Sequence, residues 1–476
     1  MALVAHHKHL SLELLLDQAP PSAVAASSGS RTLSRSRRAR SSTDVVLAME
    51  EGQPRQEAAL RVDGRPASVR LTSDGLTIEF AAGRRRCPWP SAAPSSSSET
   101  SSEGAAEDWA AAIGAGIEAA AAGRPKSLLV LLNPNAGARQ GRRVFQRVVP
   151  LFKAAGIRLT VKETKRPAHA HVMAAGLTAE QLRAIDGIVC VGGDGIFHET
   201  FNGILEARAA AAASSEPGAA ELAALLGGLR LAHIPAGSTD AVACTLHGSR
   251  SPWTAAMHVC LGDSCPLDVL RVDTASTTKF ASCIAAYGFL ADVTSAAEAY
   301  RFLGPVRYDL VGAAKLLASR AYPARIRYIE GEGGEEWREL EGEFCSIMCI
   351  VMPCRSDKTK KGMVRYGHLC DGRLKLVLVS KCSPLQYLRF LVHMSRHGCA
   401  PGALKYVTVL DAVAVQVEPL GGTGQAALGG DGHQQRPGGN VSCWNLDGEL
   451  LRGPDQRIAA EVHPGLLRVF SRGVEQ

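Results

Sequence analysis

Residues 187–203 read GIVCVGGDGIFHETFNG: an apolar run from Gly187 to Val191, a break at Gly192-Gly193-Asp194-Gly195, and a helix-compatible stretch from Ile196 onward. The pattern predicts a buried strand that turns at once into a helix. Glycines in such a turn reach left-handed conformations and let a ligand approach the backbone, while the helix start offers free N–H groups to anions. Asp194 sits in that notch, where a carboxylate repels phosphate unless it handles a proton or a metal. Such an acid fits a kinase, which must take a proton from a hydroxyl as the phosphoryl group arrives. A helix-capping role is the plainer reading of the same residue.

Working outward, apolar strands alternate with helical stretches from Leu128: LLVLLNP, a helix over 142–154, RLTVKET, helical turns over 169–185, the strand at 187–191 and its helix, then LRLAHIP. This alternation predicts a parallel sheet covered on both faces. The Ala-rich stretch 207–226 reads as an extended helix with a loop at 214–218. After Pro266 strand-like runs dominate (LDVLRVDT, FASCIAAYGF, ARIRYIE, FCSIMCIVMP, RLKLVLVS, VTVLDAVAVQVEP), with one clear helix at 384–397. They predict a second, mostly antiparallel β domain. The resulting division is a basic, disordered arm over 1–44, a small β module over 45–122 closed by a helix near Trp109, an α/β domain over 125–265, and a β domain over 266–476. The Gly-rich loop 421–439 is expected to be mobile.

Composition narrows the function. The chain has 476 residues, 46% hydrophobic and 21% charged, with a net charge of +7. That modest charge argues against a dedicated nucleic-acid partner and permits weak attraction to anionic lipid. The 13 cysteines lack paired short spacings, which indicates neither a disulfide framework nor a zinc site and favours a reducing, cytoplasmic compartment. No run is long enough to cross a bilayer, so any membrane contact is expected to be peripheral.

Three further loops fall where ligands bind in α/β sheets, at strand ends or an equivalent edge. Asn133-Pro134-Asn135-Ala136-Gly137 could cradle phosphate but lacks the Gly-Lys-Ser/Thr of a Walker loop. Pro235-Ala236-Gly237-Ser238-Thr239-Asp240 offers hydroxyls and N–H groups. Trp444-Asn445-Leu446-Asp447-Gly448-Glu449 ends in an Asp-Gly that an ordinary hairpin turn also explains.

In this order NPNAG, GGDGIFHETFNG, PAGSTD, YGFLADV with AYRFLGPVRYDLVG, and WNLDGE resemble the lipid kinases of the diacylglycerol and sphingosine kinase superfamily, the ceramide kinase branch above all. The resemblance covers most of the chain from Pro125. It implies an NAD kinase-like α/β nucleotide domain and a β-sandwich domain, the final strands returning to the cleft between them, preceded by a pleckstrin-homology-like module. It implies ATP and Mg²⁺ as cofactors, with Ca²⁺ as a possible regulator, and ceramide as the acceptor, with free sphingoid bases or diacylglycerol as alternatives. A non-catalytic lipid-binding protein is the alternative of another class. Asp194 matches the general base. Asn133, Pro134, Asn135, Gly137, Thr164, Glu199, Gly237, Ser238, Thr239, Arg301, Arg307, Asp447, Gly448 and Glu449 match nucleotide contacts. Gly192, Gly193, Gly195 and Asp292, with Asp194, fall where the lipid head group lies. Metal ligands stay unassigned.

Two departures stand out: Ala136 replaces one glycine of a common Gly-Gly pair, and Cys345, Cys349 and Cys354 read as buried strand residues. The short connection between Glu330 and Glu341 resembles plant members of the family. In the helix at 384–397, Leu385, Leu388, Leu391 and Val392 form an apolar face. It reads as core packing, and the resemblance adds calmodulin as a partner for Pro384–His397.

Overall fold

The structure, a computed structural model, describes residues 123–212, 218–304, 306–318, 320–331, 336–421, 441–453 and 455–473, and the backbone of five N-terminal strands. The chain divides into two units, Met1–Ala106 and Glu107–Gln476. In the first, β1 (Val46–Ala48), β2 (Glu57–Val62), β3 (Arg65–Thr72), β4 (Gly75–Phe80) and β5 (Gly83–Pro88) form an antiparallel meander in chain order. The meander alone does not make a pleckstrin-homology fold. The closing helix near Trp109, the arm 1–44 and most of the loop 421–439 lie outside the described residues.

The second unit begins with four parallel strands, β6 (Ser127–Leu132), β7 (Arg158–Glu163), β8 (Gly187–Gly192) and β9 (Arg230–Pro235), in spatial order β7-β6-β8-β9. Alternate residues of the strands serve two apolar layers. Leu128, Val130, Val189 and Ile234 pack with Phe145, Val148 and Phe152 of α1 (Gly141–Ala154). Leu129, Leu131, Ile188 and Cys190 pack against α2 (His169–Ala175), α3 (Ala179–Arg183) and α4 (Asp194–Ala210). In the Ala-rich region α4 runs on to Ala210 and α5 spans Ala219–Leu226, in keeping with a helix followed by a loop; residues 213–217 lie outside the described ones. Beyond β9 come α6 (Ala241–His247) and α7 (Pro252–Leu261).

The remaining strands are β10 (Cys265–Asp273), β11 (Thr278–Ala281), β12 (Ile284–Gly288), β13 (Tyr322–Glu330), β14 (Trp337–Ile350), β15 (Leu374–Ser380), β16 (Val407–Pro419), β17 (Trp444–Leu446), β18 (Glu449–Leu451) and β19 (Ile458–Val469). The long strands β14 and β16 each pair with β13 along one stretch and with β15 along another, which folds the sheet back on itself around the apolar cluster of Tyr287, Tyr322, Ile347 and Trp444. Pairing among β10 to β18 is antiparallel. β19 runs antiparallel to β10 and β16, then parallel to β9 through Arg468 and Val469. The strand β19 therefore joins the antiparallel strands to the parallel ones in one continuous sheet, and Phe470 closes the α/β core beneath the Arg230 guanidinium, 4.5 Å from its ring centre.

Helix α4 is the other link. Phe197 and Phe201 are fully buried, each stabilising by about 2 kcal/mol. Asn202 exchanges two bonds with the backbone of Phe280, its Nδ2 donating to the carbonyl at 2.8 Å and its Oδ1 accepting from the N–H at 2.9 Å. Gly203 lets α2 approach: a Cβ there would meet the His171 carbonyl oxygen at 2.4 Å.

FASCIAAYGF, read above as one strand, is two, because its central N–H groups leave the ladder for a carboxylate. The buried side chain of Asp447 accepts from Ser282 N (2.7 Å), Ser282 Oγ (3.1 Å), Cys283 N (2.9 Å), Ile284 N (2.8 Å) and His198 Nδ1 (3.3 Å). Burial alone would raise its pKa, but the His198 and backbone donors outweigh it and hold the group below the ordinary 3.8. A carboxyl depressed in the folded state contributes stability above its unfolded value, and loses that contribution as pH falls through the folded value. Asp447→Asn should cost about 3 kcal/mol in urea denaturation at neutral pH. It should also flatten the acid dependence of stability below pH 3.8; a variant with wild-type stability would remove Asp447 from this role.

Candidate active site

The ends of β6, β8 and β9 place three glycine turns in mutual contact. A Cβ on Gly137 would lie 2.6 Å from the Ala236 carbonyl oxygen, and one on Gly237 would lie 2.5 Å from the Gly193 Cα. Gly137 has φ +55, a conformation costly for other residues. Asn133 bonds through its N–H to Val191 O at 2.9 Å, and its Oδ1 accepts from Asn135 N at 3.0 Å, shaping the first turn. Ala236 N donates to Gly192 O at 2.8 Å, locking the second turn to the third. Thr164 N continues the pairing by donating to Leu132 O at 2.8 Å. Ser238 and Thr239 are exposed at the tip of the third turn.

Asp194 begins α4, and its carboxylate caps another helix. Its Oδ2 accepts from Ala241 N at 3.0 Å and its Oδ1 from Val242 N at 2.9 Å, satisfying the first N–H groups of α6. Each oxygen keeps a free lone pair, and the side chain is 21% exposed. The expectations of a cap and of a reactive carboxylate thus meet in one residue.

The other acids are more fully engaged. Glu199 accepts from Ala168 N and Ala170 N, both at 3.1 Å, and so holds the start of α2. Burial raises its pKa despite those bonds, and Glu449 adds to the rise. Asp240 is buried with φ +53; its Oδ1 accepts from Gly237 N at 2.9 Å, and Arg250 donates to its Oδ2. Burial raises its pKa, partly offset by His233 and Arg250. Asp447 closes the β17–β18 hairpin with its carboxylate spent on the five donors described above, and Gly448 N bonds to Asn445 Oδ1 at 2.7 Å. Glu449 is exposed; a Cβ at Gly195 would meet its Oε1 at 3.9 Å. Asp292, in α8 (Phe289–Ala297), accepts from Ser442 Oγ at 2.6 Å and from the Tyr322 hydroxyl. Arg307, in α9 (Val306–Ala318), donates to the Gly304 carbonyl at 3.2 Å and to the Tyr308 hydroxyl at 2.9 Å. The Arg301 side chain lies outside the described residues.

Two residues absent from the sequence reading complete the site. Arg250 donates to Gly237 O at 3.0 Å as well as to Asp240, and its Nη1 reaches Asp357 at 2.6 Å. His233 on β9 is wholly buried beneath Asp194. Neither lies in a glycine motif, and an isolated His in an apolar strand carries no local signal.

Helix α10 (Pro384–His397) corrects one expectation. Its packing face is Tyr387, Phe390 and Met394, with the Tyr387 hydroxyl 2.7 Å from Ser346 Oγ, whereas Leu385, Leu388 and Val392 are exposed. Cys345 and Cys349 are buried in β14, but Cys354 lies beyond its end with φ +53.

Arg250→Leu leaves the Asp240 carboxylate buried without its cation. It should cost about 3 kcal/mol in chemical denaturation, and Asp240→Asn in the same background should recover part of that loss. Additive losses would show that the two side chains do not act as a pair.

Residues 127–272 match the diacylglycerol kinase catalytic domain, and residues 314–476 match the ceramide kinase C-terminal domain. Ceramide kinase of Homo sapiens is 30% identical over 412 residues, spanning 74% of this chain and 75% of the human one. Ceramide kinase of Arabidopsis thaliana is 27% identical over 467 residues, 74% of each chain. A solved Bacillus anthracis str. Sterne structure, assigned as a diacylglycerol kinase, shares the fold with a TM-score of 0.52 at 18% identity, covering 73% of this chain and 97% of that one. With the paired domain matches in order along one compact unit, the chain belongs to the ceramide kinase family.

Proposed function

We propose that this chain is an ATP-dependent lipid kinase that phosphorylates the primary hydroxyl of ceramide, with Asp194 as general base. The observation that carries the assignment of the base is the convergence of three glycine turns on one partly exposed carboxylate that retains free lone pairs. The hydroxyl gives its proton to Asp194 as its oxygen bonds to the γ-phosphorus, and the bond to the departing nucleoside diphosphate breaks. Ala241 and Val242 N–H groups hold the carboxylate in place throughout. The backbone of Asn133 to Gly137 and of Gly237 to Thr239 would receive the phosphates, with the exposed Ser238 and Thr239 hydroxyls beside them. Arg301 and Arg307 would approach the transferring group, Arg307 by exchanging its bonds to Gly304 and Tyr308.

Among the described residues no cluster of His, Cys, Asp or Glu forms a cation cage. Mg²⁺ fits as the nucleotide's own ion, held mainly by phosphate oxygens and water, with Glu449 as a carboxylate in reach. When bound it supplies positive charge to the phosphates. Glu199, Asp447 and Gly448 would serve the nucleotide by fixing the segments around it, and Asp292 would shape the lipid end.

No helix of the described residues is long and apolar enough to cross a membrane. Leu310 and Leu317 on α9 and Leu385, Leu388 and Val392 on α10 are exposed on two helices in contact. They support peripheral attachment to a lipid surface, and the α10 face supports calmodulin as a Ca²⁺-dependent partner.

With γ-labelled ATP, Mg²⁺ and mixed micelles, ceramide should be labelled in preference to sphingosine and diacylglycerol. Asp194→Asn should lower kcat at least about 100-fold with ATP affinity retained. Labelling of another lipid alone would overturn the substrate, and substantial turnover by the variant would overturn the base.

A further inference from the structure

His233 is a polar side chain with no exposed surface, buried within the α/β core one strand step from the third glycine turn. Its Nε2 lies 3.0 Å from the Gly192 carbonyl oxygen. A carbonyl only accepts, so Nε2 carries the ring proton in the neutral imidazole. Nδ1 then holds a lone pair. It has no hydrogen-bond partner, and it lies 4.0 Å from Asp194 Oδ1. A buried nitrogen without a partner is costly and calls for an explanation.

We propose that His233 is a positioning residue for the general base: when Asp194 takes the substrate proton on Oδ1, the neutral Nδ1 accepts its hydrogen bond. The inference rests on the assignment of Asp194 as base. No net transfer to His233 is needed. The hydroxyl O–H bond breaks, the Asp194 O–H bond forms, and the proton leaves to solvent from the exposed side of Asp194 after product departs. Closing 4.0 Å to bonding distance takes a small shift of the His233 ring toward Oδ1, so that the Ala241 and Val242 N–H groups keep their hold on the carboxylate.

The test is kcat and KM with ceramide and ATP for wild type, His233→Leu, His233→Gln and Asp194→Asn, with thermal stability measured alongside. His233→Gln keeps a donor for Gly192 O but has no ring nitrogen to face Asp194, which guards against a fold effect in the leucine variant. Both His233 variants should lose about tenfold in kcat with the KM for ATP nearly unchanged. If Asp194→Asn is inactive and the His233 variants keep the wild-type kcat, with only thermal stability altered, His233 is structural and the proposal fails. If Asp194→Asn retains turnover, the base assignment itself fails.

Discussion

The buried carboxylate of Asp447 is the constraint on which the rest of this architecture hangs. Its five donors come from the β11–β12 break and from His198 on α4, so one side chain near the C-terminus ties the hairpin, the sandwich and the helix that begins with Asp194. A charge removed from water is tolerated only when its acceptor sites are filled. Filling them interrupts a strand, and just before the interruption Asn202 bonds to the Phe280 backbone on the free edge of β11. The position of the Asp194 carboxylate relative to the sandwich follows from these bonds and from the burial of α4.

The site itself is built from backbone. Gly193 and Gly237 touch without side chains between them, and Gly137 meets the Ala236 carbonyl just as closely. Any Cβ at these contacts would push the turns apart and displace their backbone N–H groups. Arg250 then fixes the third turn from outside through Gly237 O and Asp240. Rigid turns and a clamped loop are what in-line transfer requires, because most of its catalysis is positioning and electrostatics.

Much of this was readable from the residues and some was not, for identifiable reasons. The parallel core was legible because β6, β8 and β9 are short apolar runs followed by glycine turns, and both faces of the sheet are covered. The helix at 384–397 was legible as a helix, with Ser383 and Pro384 at its start, but not as to face. It has two apolar stripes, and only the core surface that Tyr387 and Phe390 pack against, Phe289 and Ser346 among it, decides which is buried. The break within FASCIAAYGF was invisible because its cause, Asp447, lies 163 residues away along the chain from Ile284. Arg250 and His233 were missed because their meaning is wholly tertiary. The parallel pairing of β19 with β9 likewise depends on the sheet the chain returns to, not on the composition of the strand.

Asp194, Glu199, Asp240 and Asp447 all belong to the elements that carry or adjoin the glycine turns, and unpaired carboxylates there would repel a polyanionic nucleotide. The fold resolves the conflict by occupying them unequally. Asp447 is filled by its five donors, Asp240 is paired with Arg250, and Glu199 accepts two N–H groups while burial raises its pKa. Asp194, like Glu199, caps a short helix from outside: it accepts two N–H groups and keeps a 21% exposed side chain. The start of α6 is therefore spent on stabilising a carboxylate that stays partly open to solvent. What separates the four acids in this chain is thus which backbone N–H groups and cations the surrounding turns present to each, and how much of the side chain those turns leave exposed.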